Sequence, residues 1–178
     1  MDRLLLDVMC GKLATYLRMC GYDAAYALDL DVAEGAGTTD ADVPDDALLT
    51  VAREQGRCIV TRDRDLAARA EESVLLESRE IEDQLRELSV AGFDISIDDE
   101  PTYCGACNGS LDPVASGERT PDYAPGPATT DVWRCEQCGQ HFWKGGHWDD
   151  VAETVAAIED YPFSVALIDG YPLPATGR

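Results

Sequence analysis

Short, wholly apolar runs alternate with helical stripes through the first half of the chain. Leu4-Leu5-Leu6 is the first run and Cys58-Ile59-Val60 the most strand-like, being β-branched and flanked by charge. Such runs read as buried strands. Both end in acid, the first at Asp7 and the second in Thr61-Arg62-Asp63-Arg64-Asp65. Between them, Leu13, Leu17 and Cys20 mark one face of a helix over 11–20, with Gly21 as its stop. Residues 24–28 predict a weaker strand and 28–44 an acidic, glycine-bearing loop. Asp45 or Asp46 then caps a helix through Gln55, with Leu48, Val51 and Ala52 inward and Gly56 ending it. A strand over 57–61, a helix over 66–72, a strand over 74–76 and an amphipathic helix over 81–88 follow. The alternation predicts an α/β fold with a mainly parallel sheet, and right-handed crossovers then place helices on both faces.

The texture changes near Asp98. Pro, Gly, Asp and Thr dominate 113–130, and two Cys-x-x-Cys pairs bracket that stretch: Cys104/Cys107 and Cys135/Cys138. Each pair precedes turn residues, Asn108-Gly109 and Gly139, as a tight metal knuckle requires. A module with so little apolar content needs a staple, which four thiolates on zinc supply. A redox dithiol lacks the βα context it would need. Cys10, Cys20 and Cys58 sit in apolar or helical settings and read as inert core thiols. The chain thus divides into a layer domain (1–97), a zinc module (98–150) and a helix or tail of unassigned role (151–178).

Charge changes the picture of the partner. Fourteen basic against thirty-five acidic residues give a formal net charge of −21, which should repel nucleic acid at ordinary ionic strength. The acids are spread along the chain, and Lys12 and Lys144 are its only lysines. That pattern resembles the proteins of salt-loving microbes, such as a halophilic archaeon. At ~1 M salt the Debye length falls to about 3 Å, so global repulsion says little about substrate. An acidic partner-binding protein is the other reading of the same charge. No run approaches the ~18 apolar residues of a membrane span, and Asp7 breaks the only stretch resembling a leader. Seven cysteines, four of them in pairs, suit metal binding in a reducing cytoplasm.

Two parallel strands that each finish on an aspartate bring those carboxylates to one edge of the sheet, where open α/β sheets place ligands. Clustered carboxylates repel and need a hard divalent cation. Asp7, Asp63 and Asp65 are therefore candidate ligands for Mg²⁺ or Mn²⁺. Asp45 is a fourth candidate and Asp46 a weaker one, although capping alone explains one of that pair. Asp29, Asp31, Asp40 and Asp42 fall in the acidic loop and are left out. Lys12 opens a helix, where backbone N–H groups and the dipole suit a phosphate; an ordinary surface lysine is the alternative.

The run from Asp7 through Gly11-Lys12-Leu13-Ala14-Thr15-Tyr16-Leu17-Arg18 to Asp23 resembles the opening of the Mut-seven C-terminal RNase domain family. Asp45–Leu49, Thr61–Asp65, the four cysteines, and Phe142-Trp143 with His147-Trp148 match later signatures of that family in order. The resemblance covers about residues 3–150. It implies a PIN-like three-layer fold with a small zinc ribbon, acting as a metal-dependent endoribonuclease on single-stranded RNA. Asp7, Asp45, Asp63 and Asp65 would hold one or two Mg²⁺ or Mn²⁺ ions, with Lys12 on the scissile phosphate. Loop 28–44 is longer than the family's, and Cys10 stands where an apolar residue or histidine is usual.

Trp133, Phe142, Trp143 and Trp148 gather around the second cysteine pair. They either stack on unpaired bases or pack on the knuckle. The rival function is a non-catalytic RNA- or protein-binding module in a PIN-like shell. A small-phosphate hydrolase is disfavoured, because no glycine-rich phosphate loop is present and Asp7-Val8-Met9 lacks a second aspartate.

Overall fold

A computed structural model describes residues 3–30 and 43–159. Most of the predicted loop 28–44, and the tail with Tyr161-Pro162 and Tyr171-Pro172, lie outside the described residues. Strands β1 (Arg3–Leu6), β2 (Asp23–Tyr26), β3 (Cys58–Thr61) and β4 (Ser73–Leu75) form one sheet in the order β2-β1-β3-β4. Every neighbouring pair is parallel, with Leu5 level with Ala25 on one side and Ile59 on the other.

The pleat explains why the central strands are wholly apolar. Leu4, Leu6, Cys58 and Val60 enter one cluster, while Leu5 and Ile59 enter another on the opposite face. Helices α1 (Gly11–Met19), α4 (Ile81–Val90) and α5 (Gly146–Glu159) cover the first face through Leu13, Leu17, Leu85, Leu88 and Val155. Helices α2 (Asp45–Gln55) and α3 (Arg64–Arg69) cover the second through Leu48, Ala52 and Leu66. The result is three layers, helix–sheet–helix. A strand buried on both faces must be apolar at every position, and each such leucine contributes roughly 1.5–3 kcal/mol of burial.

Helix ends depart from expectation in an instructive way. Gly56 closes α2 in the left-handed region at φ 60°, as predicted, with its N–H on Ala52 and Arg53 carbonyls. The start of α2 corrects the sequence reading: Pro44 is the N-cap, no side chain caps it, and Asp45 and Asp46 lie inside the first turn. Asp63 is the aspartate that does cap a helix, accepting from the N–H groups of Asp65 and Leu66 ahead of α3. The second strand is shorter than expected, since a 3-10 turn takes over at Ala27–Asp29.

The cysteine module is a three-stranded antiparallel sheet of β5 (Leu111–Pro113), β6 (Val132–Cys135) and β7 (His141–Trp143). It docks on the β2 edge by polar contacts. Asn108, held at φ 66°, accepts from Ala24 N–H at 2.8 Å and donates to Asp23. Asp23 in turn receives Arg57 and Arg3. The Gly105 carbonyl accepts from Thr15 Oγ1 and from Arg18, whose guanidinium is buried to 3% exposure. After β7, helix α5 returns to the first layer, so Val151, Val155 and Ile158 share a core with Leu13 and Leu17. No described helix is long and apolar enough to cross a membrane.

Candidate active site and metal centre

Asp7 continues the β1 ladder by one more bond, its N–H donating to Val60 O at 3.1 Å, and ends with its side chain only 6% exposed. A carboxylate that deep needs donors. It has two: Val8 N–H donates to Oδ1 at 2.6 Å and the Thr61 hydroxyl to Oδ2 at 2.7 Å. Thr61 Oγ1 accepts from Asp63 N–H at 2.9 Å, so one hydroxyl links the carboxylate ending β1 to the backbone of the aspartate following β3. The sequence reading passed over Thr61. Its signal was a polar residue at the last buried position of an apolar strand.

Asp63 spends Oδ1 on the α3 cap, accepting from Asp65 N at 2.7 Å and Leu66 N at 3.1 Å. Asp65 stands exposed in the first turn of α3. Asp45 and Asp46 are both engaged by Arg69, Asp45 at 3.3 Å. The structure therefore joins Asp7 and Asp63 through Thr61, and ties neither Asp45 nor Asp65 to Asp7. Among the described residues, the four cysteines are the only three or more His, Cys, Asp or Glu side chains whose ligand atoms lie within 4.8 Å of one another.

The surroundings of Asp7 carry its field. Burial, and then the Asp7 carboxylate, push the Cys10 thiol up to about 11, which keeps it protonated and inert. Burial likewise raises the Tyr26 phenol, with Asp29, Asp7 and Cys10 adding to the shift. That phenol donates to Val8 O at 3.0 Å, across a bare Gly11 where a Cβ would meet the ring at 2.6 Å. Cys58, also buried, is pushed up to about 11. Asp29, set aside as loop, follows β2 and pairs with buried Arg18.

Positive charge is sparse yet placed here. Lys12 is the second residue of α1, whose N-cap Cys10 offers no side-chain bond to the open N–H groups. With Tyr16, Thr154 and the acids Glu80, Glu82 and Asp83, Lys12 and Arg79 line a polar cleft of ≈ 570 Å³. Among the described residues neither of them, nor Arg62, forms an ion pair. In a chain this acidic, cations without a carboxylate partner are conspicuous.

The four module cysteines satisfy the metal expectation geometrically. Cys104 and Cys138 sulfurs lie 3.7 Å apart and Cys107 and Cys135 sulfurs 3.5 Å apart, all four within 4.8 Å. A tetrahedron of Zn–S bonds of ~2.3 Å places sulfurs roughly 3.8 Å apart, so the cage fits zinc. Burial pushes the Cys104 thiol up. At Cys135 burial acts in the same sense, but the N–H groups of Cys138 and Gln137 aim at the sulfur and bring it down to about 7. Gly109 is required here, because a Cβ would stand 2.9 Å from the Cys135 sulfur.

The model of one protein family, the Mut7-C RNAse domain, matches residues 2–155. No curated protein and no solved structure matches the chain.

Proposed function

Because the chain belongs to the Mut7-C RNAse domain family, we propose that it is a metal-dependent ribonuclease, an endonuclease on single-stranded RNA with a PIN-like layer. The family supports a nuclease-type function on RNA. The link Asp7–Thr61–Asp63 at the C-terminal edge of a parallel sheet is the observation that carries the mechanism. In this reading Asp7, Asp45, Asp63 and Asp65 would hold Mg²⁺ or Mn²⁺, which when bound acidifies water and stabilises charge on the departing oxygen.

By chemistry the donor set suits a hard cation, being carboxylate oxygen throughout, but among the described residues these carboxylates are not drawn together as the four cysteines are. Among the described residues, Asp7 accepts one hydrogen bond on each oxygen and none occupies Asp63 Oδ2. The Thr61 hydroxyl fixes the Asp7 carboxylate against rotation. Lys12 and the open α1 N–H groups would receive the scissile phosphate, with Arg62 and Arg79 on the flanking backbone. Cys10 and Tyr26, both shifted toward their neutral forms, add no repulsion. Four thiolates on zinc would fix the module on the β2 side of the sheet. The protein would work in the reducing cytoplasm of a salt-loving organism, where screening removes the penalty of its net charge.

One observation favours the rival reading, a non-catalytic RNA-binding module: Arg69 already occupies Asp45 and Asp46. The test is a labelled single-stranded RNA at ~2 M KCl, a salt that screens distant charge, with and without Mn²⁺, beside an Asp63→Asn variant. Metal-dependent cutting lost in the variant supports the nuclease. Tight binding without cutting by either protein moves the assignment to the binding module.

A further inference from the structure

A second hollow, of ≈ 400 Å³, lies where the cysteine module meets α1 and the start of α5. It is the opposite of the polar cleft in character. Tyr103, Phe142, Trp143 and Trp148 line it, with His141 and His147 among them. The size is that of a small-ligand site, typically ~300–1,000 Å³. Packing does not exhaust these side chains: Tyr103, Phe142, Trp143 and Trp148 are only partly buried, and His147 is exposed.

Within that lining, His141 is 8% exposed and its Nδ1 is buried with no hydrogen-bond partner. A buried polar atom without a partner is costly, and a turn of the ring would bring this one to the edge of a ligand in the groove. Aromatic faces combined with an unmatched imidazole nitrogen are what an unstacked nucleobase needs: a surface for its π face and a partner for its edge.

The groove and the polar cleft share their supports. Both hollows are built on α1 and α5, with Lys12 and Thr154 lining one, and Thr15 and Trp148 the other. Along α1 the two sets are separated by roughly 5–10 Å at 1.5 Å per residue, a distance one or two nucleotides span.

We infer that the groove between the cysteine module and α1 is a base-binding subsite, taking one unpaired nucleobase of the RNA strand that lies across the carboxylate edge. The inference rests on the ribonuclease reading for its ligand, but not on cutting for its test. Trp143 supplies the stacking face. Its position depends on Gly145, where a Cβ would lie 2.7 Å from the indole nitrogen. Trp133 lies outside the groove, on β6 in register with Phe142, and serves as a control.

The experiment uses the full, zinc-loaded chain carrying Asp7→Asn to prevent cutting. Two probes, an oligoadenylate and an abasic ribose-phosphate chain of equal length, are titrated by tryptophan fluorescence at high salt. Base stacking is worth about 1–3 kcal/mol, so the oligoadenylate should bind about tenfold tighter and quench emission. Trp143→Ala should remove that preference while leaving affinity for the abasic chain unchanged, and Trp133→Ala should keep it. His141→Phe, which preserves ring volume, should reduce the preference a few-fold and covers the case in which Trp143→Ala misfolds. Equal affinity for the two probes overturns the inference, as does a preference that survives both Trp143→Ala and His141→Phe. So does concentration-dependent self-association that buries the groove. Wild-type protein that cuts both probes with Mn²⁺ at equal KM keeps the nuclease and removes the subsite. Protein that cuts neither yet prefers the base removes the nuclease and keeps the subsite.

Discussion

The layer and the cysteine module solve the same problem with different materials. The layer has two apolar clusters on the two faces of one sheet, and β1 contributes Leu4 and Leu6 to one and Leu5 to the other. The module has three strands of three or four residues and few buried apolar side chains, Val132 among them. Its interior is the four-sulfur cage. One part is therefore held by many interchangeable contacts, and the other by a single centre that cannot be partly lost. The seam between them is polar, made by Asp23, Asn108, Arg57 and Arg18.

The sharpest way to break this comparison is to disable the four-sulfur cage. Structural zinc in finger peptides is worth about 10–16 kcal/mol. Cys135→Ser, or chelation, should make residues 104–143 protease-labile while the amides of β1 and β3 remain protected in hydrogen exchange. Simultaneous loss of protection in both regions would show that the layer depends on the module. Asp7→Asn comes next. It should lower Mn²⁺-dependent RNA cleavage by about a thousandfold, roughly 4 kcal/mol of barrier, with the unfolding midpoint nearly unchanged. A variant that cuts at the wild-type rate would remove Asp7 from the site.

Leu17→Ala, in the cluster between α1 and the sheet, should cost about 2–5 kcal/mol in denaturant unfolding, the usual range for a buried leucine. The same experiment should leave zinc content untouched, which is the converse of the cysteine variant. Thr61→Val keeps shape but withdraws the hydroxyl from Asp7. The expected cost is about 1–3 kcal/mol, together with slower Mn²⁺-dependent cleavage, since the Asp7 carboxylate is then free to rotate. Thr61→Ser should restore both.

The smallest effect belongs to the seam. Burial alone would raise the Asp23 carboxyl, but hydrogen bonds from Arg57, Asn108 and Arg3 hold it below the ordinary carboxylate value. Its folded-state pKa is thus lower than its unfolded one, so its contribution is full above the unfolded value of about 3.9 and is lost as pH falls through the folded value. Protection of the Ala24 amide, whose N–H is held by Asn108, should fall on acidification from about pH 5 to 3. Asp23→Asn should flatten that dependence.

The strands of the layer were legible because a strand buried on both faces leaves an unbroken apolar run, as at 4–6 and 58–60. The cage was legible because two Cys-x-x-Cys pairs carry their own geometry. Asp45 and Asp46 were misread as caps. Their partner, Arg69, lies a helix and a strand further along the chain, and local pattern holds no trace of it. Thr61 was hidden by its neighbours: a threonine ending a strand is unremarkable until the carboxylate it bonds is known. The aromatic residues of the module were noticed, but the four grouped by sequence are not the four that line the groove. Trp133 is not part of the groove's lining, while Tyr103 and His141 are.

Helix α5 has a consequence for how the protein is made. Val151, Val155 and Ile158 complete a core begun by Leu13 and Leu17 near the opposite end of the described chain. During translation, Leu13, Leu17, Leu85 and Leu88 emerge from the ribosome long before their last covering does. The order of synthesis also puts the cysteine module between the two halves of that core. A nascent chain stalled before residue 146 should be cut by protease within α1, and one extended past 159 should resist. Closure of this core therefore waits on the synthesis of α5, which follows the whole of the cysteine module.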